Sequence, residues 1–444
     1  MIPGGQTWTV DGIDFRNSGI LTVGPGTTLA LANGFASITG GARTAGILYN
    51  GGTITSAQAS SETLSGAWTF QANRNYAFTG DVTVKNGASI GGLRLYQVTN
   101  YVDRVDYLCD VRVAGNLTVE SGGFLSGDFS GYTYKTFAGN GSYQNSERFG
   151  DPYAHGGQIF LSENGAYGSI LNPAMPGTYG QTDDKNTQNL GGGALKLVVD
   201  GALTINGTVT SVGGTSSSNG QGSGGSINIT AGSLSGSGTM SASGCKATSA
   251  TTAFINMEYM LKHRGVKSAS AGGRIAVRLT GSGASFSSHW IENILATGAL
   301  NMSGNAVFSN GCASAGTVYL QTAADGEGGG TVYVRNGDQT TNPAVTPIPS
   351  TRWGGERDDL TKASLAIGAA ARVKLFDGLK MKSLEMTSGT TLDLNGKTLT
   401  VKSAKIGDTK LAPGTYAAVA GFVVDSATGG ALVVNGEGLT ILVR

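Results

Sequence analysis

The stretch Gly191-Gly192-Gly193-Ala194-Leu195-Lys196-Leu197-Val198-Val199-Asp200-Gly201-Ala202-Leu203-Thr204-Ile205-Asn206-Gly207-Thr208-Val209 decides how this chain folds. Apolar, often β-branched residues alternate with Thr, Lys or Ala, which is the period of a half-buried strand, and Gly or Asn-Gly closes each run. The same texture recurs at Gly19 to Gly24, Asp81 to Gly87, Gly115 to Gly122, Ser226 to Thr230, Gly316 to Leu320 and Gly330 to Val334. Strands of four to six residues are too short to stand as isolated hairpins and must stack on one another. A β-sandwich and a parallel solenoid both achieve this. The solenoid is favoured because Asn-Gly and Asp-Gly lead into another short strand rather than a matched partner, and because small residues suit corners where coils lie about 4.8 Å apart. The expected fold is all-β: a right-handed parallel β-helix (β-solenoid) with loop insertions, about 20 to 25 residues per turn, and a small β region at the C-terminal end.

Composition agrees with this reading and excludes several classes. The 444 residues include 73 Gly, 39% hydrophobic and only 13% charged residues. The hydrophobic share is too large for a disordered Gly/Ser linker, and the glycines do not fall at every third position as in collagen. Thirty basic against 29 acidic side chains leave a formal charge of +1, with no electrostatic footprint for nucleic acid or an anionic membrane. No apolar run is long enough to predict a transmembrane helix. The opening Met1-Ile2-Pro3-Gly4-Gly5 lacks the basic and apolar parts of a signal peptide, so export would need a removed leader or another route. Cys109, Cys245 and Cys312 fit no zinc spacing, and a disulfide among them is not readable.

Three stretches differ in texture. Residues 1–135 carry regular strand signals and 136–345 hold the Gly-rich region with insertions. After a polar, Pro-containing connector, residues 346–444 form a C-terminal β region, in which Thr391 to Val401 reads as a hairpin or a coil corner. One insertion, Tyr143 to Gln188, is rich in Tyr, Pro, Asn and Asp. Another, Thr251 to Arg264, spaces Phe254, Ile255, Met257, Met260 and Leu261 as a helix would.

The series His155-Gly156-Gly157, Tyr167-Gly168-Ser169, Pro176-Gly177, Gly191 to Leu197, Gly222 to Ile227, Gly272-Gly273-Arg274-Ile275-Ala276-Val277 and Ala315 to Leu320 resembles the Gly-rich β-helical repeat proteins of bacterial surfaces. The C-terminal Leu392-Asp393-Leu394-Asn395-Gly396 and Leu411 to Tyr416 are similar to segments near the ends of autotransporter-like passengers. The resemblance implies an extracellular stalk or adhesin-like passenger and carries no catalytic residues.

Candidate sites are few. No Walker-type GxxxxGK[ST] motif is present, so the glycines are read as turn and close-approach positions. Tyr143, Arg148, Asp151, His155, Asp183 and Asp184 form the best candidate for carbohydrate or partner binding, since Tyr stacks on sugar faces and Arg pairs with uronates. Glu147 and Glu163 lie in the same insertion. The plainer account, a solvated loop, is favoured. Arg352 and Trp353, ahead of Glu356 to Asp359, make a second candidate; an exposed connector is the plainer account there. His263 and His289 lack a partner histidine, and no metal or cofactor is expected; a calcium ion on scattered Asp and carbonyl groups is left open.

The sequence therefore predicts a structural or adhesive protein, extracellular or on the cell surface, that displays loops to a glycan or protein and is able to self-associate into filaments. A polysaccharide lyase or glycoside hydrolase on the same fold is the rival, with a phage tail spike as a third alternative; whether the chain is an enzyme stays uncertain, leaning against.

Overall fold

The structure, a computed structural model, describes residues 5–15, 21–24, 26–39, 47–49, 52–57, 61–71, 74–93, 108–131, 155–157, 166–178, 190–214, 222–245, 270–299, 313–337, 344–350 and 357–436. It is all-β, with 47% strand and 4% helix, and its main feature is a long, mainly parallel sheet of 19 strands, an arrangement compatible with a β-solenoid. Inward residues stack in register from strand to strand: Leu29, Ile54, Tyr76, Val111, Leu197, Ile229, Val277 and Leu320 form one continuous row. A second row runs Leu64, Val84, Val119 and Ile205. A third belongs to a separate six-stranded parallel sheet and includes Trp68, Leu125, Val209, Met240 and Ile294.

All three rows share one apolar core, which also takes in Phe35, Phe78 and Trp290. Phe70 stacks on Tyr76 with ring centroids 4.1 Å apart and ring planes 11° from parallel, a close face-to-face contact. Each buried Leu, Ile or Val here contributes about 1.5–3 kcal/mol relative to exposure, which compensates strands that individually have no stability.

The interval between stacked residues is 22 from Ile54 to Tyr76 and 86 from Val111 to Leu197. The expected 20 to 25 residues per turn therefore holds only where no insertion leaves the wall. At the corners, turn residues become ladders of their own. Asp81 accepts hydrogen bonds from the Asn116 backbone N–H (2.7 Å) and side-chain amide (3.1 Å), and Asn116 Oδ1 accepts from the Ala202 N–H (2.8 Å). The residues that sequence reading takes for local turn formers thus also join successive turns.

The strand Thr317–Thr322 pairs antiparallel with Thr331–Arg335, a reversal within the long sheet, which also holds the antiparallel pairs Thr398–Ile406 with Thr409–Lys410 and Gly414–Tyr416 with Ala431–Val434. Parallel stacking then resumes through Leu365, Leu384 and Ala404, at intervals of 19 and 20. A second core lies in this part, built from Val332, Leu365, Leu384, Leu392 and Leu432 among others. The two cores meet across Arg274–Leu279 and Thr317–Thr322: Ile275, Val277, Val318 and Leu320 enter the first, whereas Ala276 and Tyr319 enter the second. Thr391–Asp393 and Thr398–Ile406 lie in different sheets, each paired in parallel, so Asn395-Gly396 (φ 49° and 69°) is a coil corner and not a hairpin turn.

Among the described residues the α-helix is Ser288–Asn293, started by the Ser287 hydroxyl accepting from the Trp290 N–H and anchored by buried Trp290. The helix expected over Thr251 to Arg264 lies outside the described residues.

Candidate functional site

The densest polar constellation is built on glycine. Gly193, Gly225, Gly273 and Gly316 immediately precede four stacked strands that begin at Ala194, Ser226, Arg274 and Thr317. Their neighbours approach backbone to backbone: a Cβ on Gly273 would meet the Gly225 carbonyl oxygen and lie 2.6 Å from the Gly224 carbonyl carbon, and one on Gly316 would lie 2.7 Å from that of Gly273. Glycine is required by this close approach, not by an unusual φ.

The outer face of the same strands is covered by a strap consisting of residues 155–157 and 166–178. Backbone N–H groups of Gly156 and Gly157 donate to the Gly272 carbonyl at 3.0 and 3.1 Å. Further along, the Ser226 hydroxyl donates to the Met175 carbonyl (2.6 Å) and the Thr178 N–H donates to Ser223 Oγ (2.8 Å).

Arg274 is the centre of this region. It is fully buried; its Nε donates to the Tyr167 carbonyl (2.9 Å), Nη1 to Thr317 Oγ1 (2.8 Å) and Nη2 to Ser350 Oγ (2.7 Å). Ser350 in turn donates to the Gly168 carbonyl at 2.6 Å. One guanidinium thereby fastens three segments that are distant in sequence. Burial pulls its pKa down to about 10, partly offset by the charge of Asp358. No carboxylate pairs directly with it among the described residues, so neutral acceptors carry the buried cation.

Asp358 secures the strap from the other side, accepting from the Ile170 N–H (2.6 Å), the Leu171 N–H (3.4 Å) and the Ser169 hydroxyl. Arg278 donates to the Leu171 carbonyl, to Asn172 Oδ1 (2.8 Å) and to Asn228 Oδ1 (3.1 Å), and its guanidinium lies 5.6 Å from the Tyr319 ring centre.

His155, at the start of the strap, has no exposed surface. Its Nδ1 is 2.9 Å from the Gly224 carbonyl and its ring centre 4.7 Å from that of Tyr167. The carbonyl fixes the tautomer: Nδ1 carries the proton and Nε2 presents a bare lone pair, for which no hydrogen-bond partner is found. Desolvation above all, then the Arg274 charge, pushes the imidazole pKa down to about 3. A base so buried is out of reach of a substrate.

Sequence reading grouped His155 with a ligand-facing loop; as folded it presents no surface to a glycan. Tyr143, Arg148, Asp151, Asp183 and Asp184 of that loop, and Arg352 and Trp353 of the second cluster, lie outside the described residues. In the second cluster Arg357 pairs with Asp377 at 2.9 Å with both side chains largely exposed, in keeping with a connector, whereas Asp358 is the staple just described. His289 Nε2 lies 3.0 Å from the Gly238 carbonyl and its ring edge meets Trp290, a packing role.

The residues that sequence reasoning missed are Arg274, Arg278 and Ser350, while Asp358 was read only as part of the second charged cluster. A signal did exist: Arg274 and Arg278 occupy outward positions of an otherwise apolar strand that follows Gly-Gly, so a covered outer face could have been suspected. Among the described residues no group of three or more His, Cys, Asp or Glu side chains is placed to hold a metal ion. What the constellation does chemically is bracing. No protein-family model matches the chain, and no curated protein or solved structure is found to be similar to it.

Proposed function

We propose that the chain is a right-handed β-solenoid that serves as a structural or adhesive surface module, held outside the cell, and that it presents its insertions to a glycan or protein partner. The observation that supports this reading is the use made of the polar groups. In the described residues Arg274, Arg278, Asp358 and His155 fasten a strap onto a long parallel wall, and Arg274 and His155 are fully buried in doing so. A wall of stacked turns with cross-braced insertions suits extension and display. The low charge and the abundance of Ser, Thr and Asn leave a neutral polar surface able to meet a glycan or a second copy of the chain.

The test has two arms. Antibodies against the folded chain should label intact producing cells without permeabilisation, and the purified chain should compete with those cells for a glycan- or protein-coated surface. A panel of neutral and acidic polysaccharides incubated with the same preparation should release neither reducing ends nor unsaturated products. Release of either would overturn the display reading in favour of a hydrolase or lyase, and labelling only after permeabilisation would overturn the surface assignment.

A further inference from the structure

We propose that His155 is an acid-sensitive latch: its protonation releases the strap formed by residues 155–157 and 166–178 from the outer face of the parallel wall while the wall stays folded. The geometry carries this. The one proton on the neutral ring is committed at Nδ1 to the Gly224 carbonyl, so an added proton must go to Nε2, which lies towards Gly168 and has no hydrogen-bond partner. A Cβ on Gly168 would lie 3.7 Å from Nε2 and 3.6 Å from Met175 Sδ, so the ring is packed against the strap itself.

The titratable and charged groups that face His155 are few. Tyr167 of the strap covers the ring, and Arg274 of the wall places a second cation beside it; Asp358, which also fastens the strap, acts on Arg274. The loop Ser223 to Ser226 under the ring contributes carbonyl and hydroxyl groups only. Among the described residues a charged imidazole would therefore meet a neighbouring cation and apolar side chains, with no carboxylate in contact. The depressed pKa, about 3 against 6.5 for an ordinary imidazole, states the same preference for the neutral ring.

The direction follows from linkage. The open strap, with an ordinary imidazole, binds a proton below about pH 6.5, and the closed strap does not until about pH 3. Across that window each unit of acidification raises the opening equilibrium constant about tenfold. Below it both states are protonated and the gain stops.

Hydrogen exchange of the intact protein, resolved by peptide and corrected for the intrinsic pH dependence of exchange, tests this. Between pH 6 and pH 4 protection of the Gly156, Gly157, Tyr167 and Thr178 amides should fall about 100-fold, while peptides from Ala194–Ile205 keep theirs. His155→Asn, whose side-chain amide can still donate to Gly224, should remove the pH dependence, and Asp358→Asn should retain it. The latch is overturned if strap and wall peptides share one pH profile in the unmodified protein, a comparison that needs no variant. It is equally overturned if His155→Asn keeps the slope or if Asp358→Asn abolishes it.

Discussion

Replacing Gly273 by Ala tests the stacking of the turns at one of its close backbone approaches. The added methyl would meet the Gly225 carbonyl oxygen and lie 2.6 Å from the Gly224 carbonyl carbon, both in the adjacent turn. These two turns are tied at that level by the Arg274 N–H to the Gly225 carbonyl (2.9 Å), and the Thr317 N–H to the Gly273 carbonyl (3.2 Å) ties on the turn that follows. Relief requires the turns to separate, because the obstacle is backbone and no side chain can rotate away. Overpacking of this kind costs about 1–3 kcal/mol, and weakening one inter-turn hydrogen bond adds roughly 1 kcal/mol. The lower entropy of the unfolded alanine chain returns about 0.4–1 kcal/mol. The net expectation is a loss of about 2–3 kcal/mol.

Gly368→Ala is the control. Gly368 lies within a strand, a Cβ there would meet only side-chain atoms at 3.6 Å or beyond, and its φ is not positive. That substitution should be neutral or slightly stabilising. Urea titration followed by far-ultraviolet circular dichroism on both variants should show a clearly lower midpoint for Gly273→Ala alone. Equal midpoints for the two variants would refute the claim that backbone contact between turns sets the requirement for glycine.

Three further outcomes follow from other parts of the structure. Arg274→Lys should be destabilised nearly as much as Arg274→Ala, by about 2–4 kcal/mol in urea titration, because an ammonium cannot reach three acceptors in the guanidinium's planar arrangement; full rescue by Lys would contradict the brace. The Cys109 thiol, pushed up to about 12 by burial and then by the Asp110 charge, should resist alkylation at pH 8 in the folded protein and react after denaturation, as read by peptide mass; rapid native labelling would contradict its placement in the core. Lys382 and Lys402 are exposed at equivalent positions of neighbouring strands, between the register pairs Met381–Val401 and Ser383–Ser403, so Lys402→Glu should raise the thermal midpoint at low salt by an amount worth about 0.2–1 kcal/mol, and the gain should shrink as salt is added.

Much of the wall was legible because its signals are local and repeated. Alternation in Leu203-Thr204-Ile205 and Thr208-Val209-Thr210 gives the inward and outward sides directly, and Gly-Gly before Ser226 and Arg274 marks where turns touch. The resolution of Asn395-Gly396 as a corner needed the partners: its neighbours pair with strands before and after in the chain, which an isolated dipeptide does not encode. The brace was not legible because it is non-local. Arg274 meets residues 107 and 76 positions away, and Asp358 meets residues 187 to 189 positions away, with no periodicity linking them. The strap misled for a related reason. Tyr, Pro, Asn and Gly usually compose exposed loops, yet Tyr167, Met175 and His155 are buried because an outer sheet face was available to receive them.

The winding itself is open to a direct measurement by cysteine pairs on the outward column Thr83, Thr118, Thr204 and Ser235, in a background with the three native cysteines replaced. Neighbouring parallel strands place paired Cα atoms about 4.8 Å apart, inside the range a disulfide spans, and alternate strands at twice that distance, outside it. Oxidation should therefore close 83–118, 118–204 and 204–235, the second across 86 positions of sequence, and leave 83–204 reduced. Closure of 83–204 with failure of 118–204 would contradict the parallel stacking on which the whole description rests.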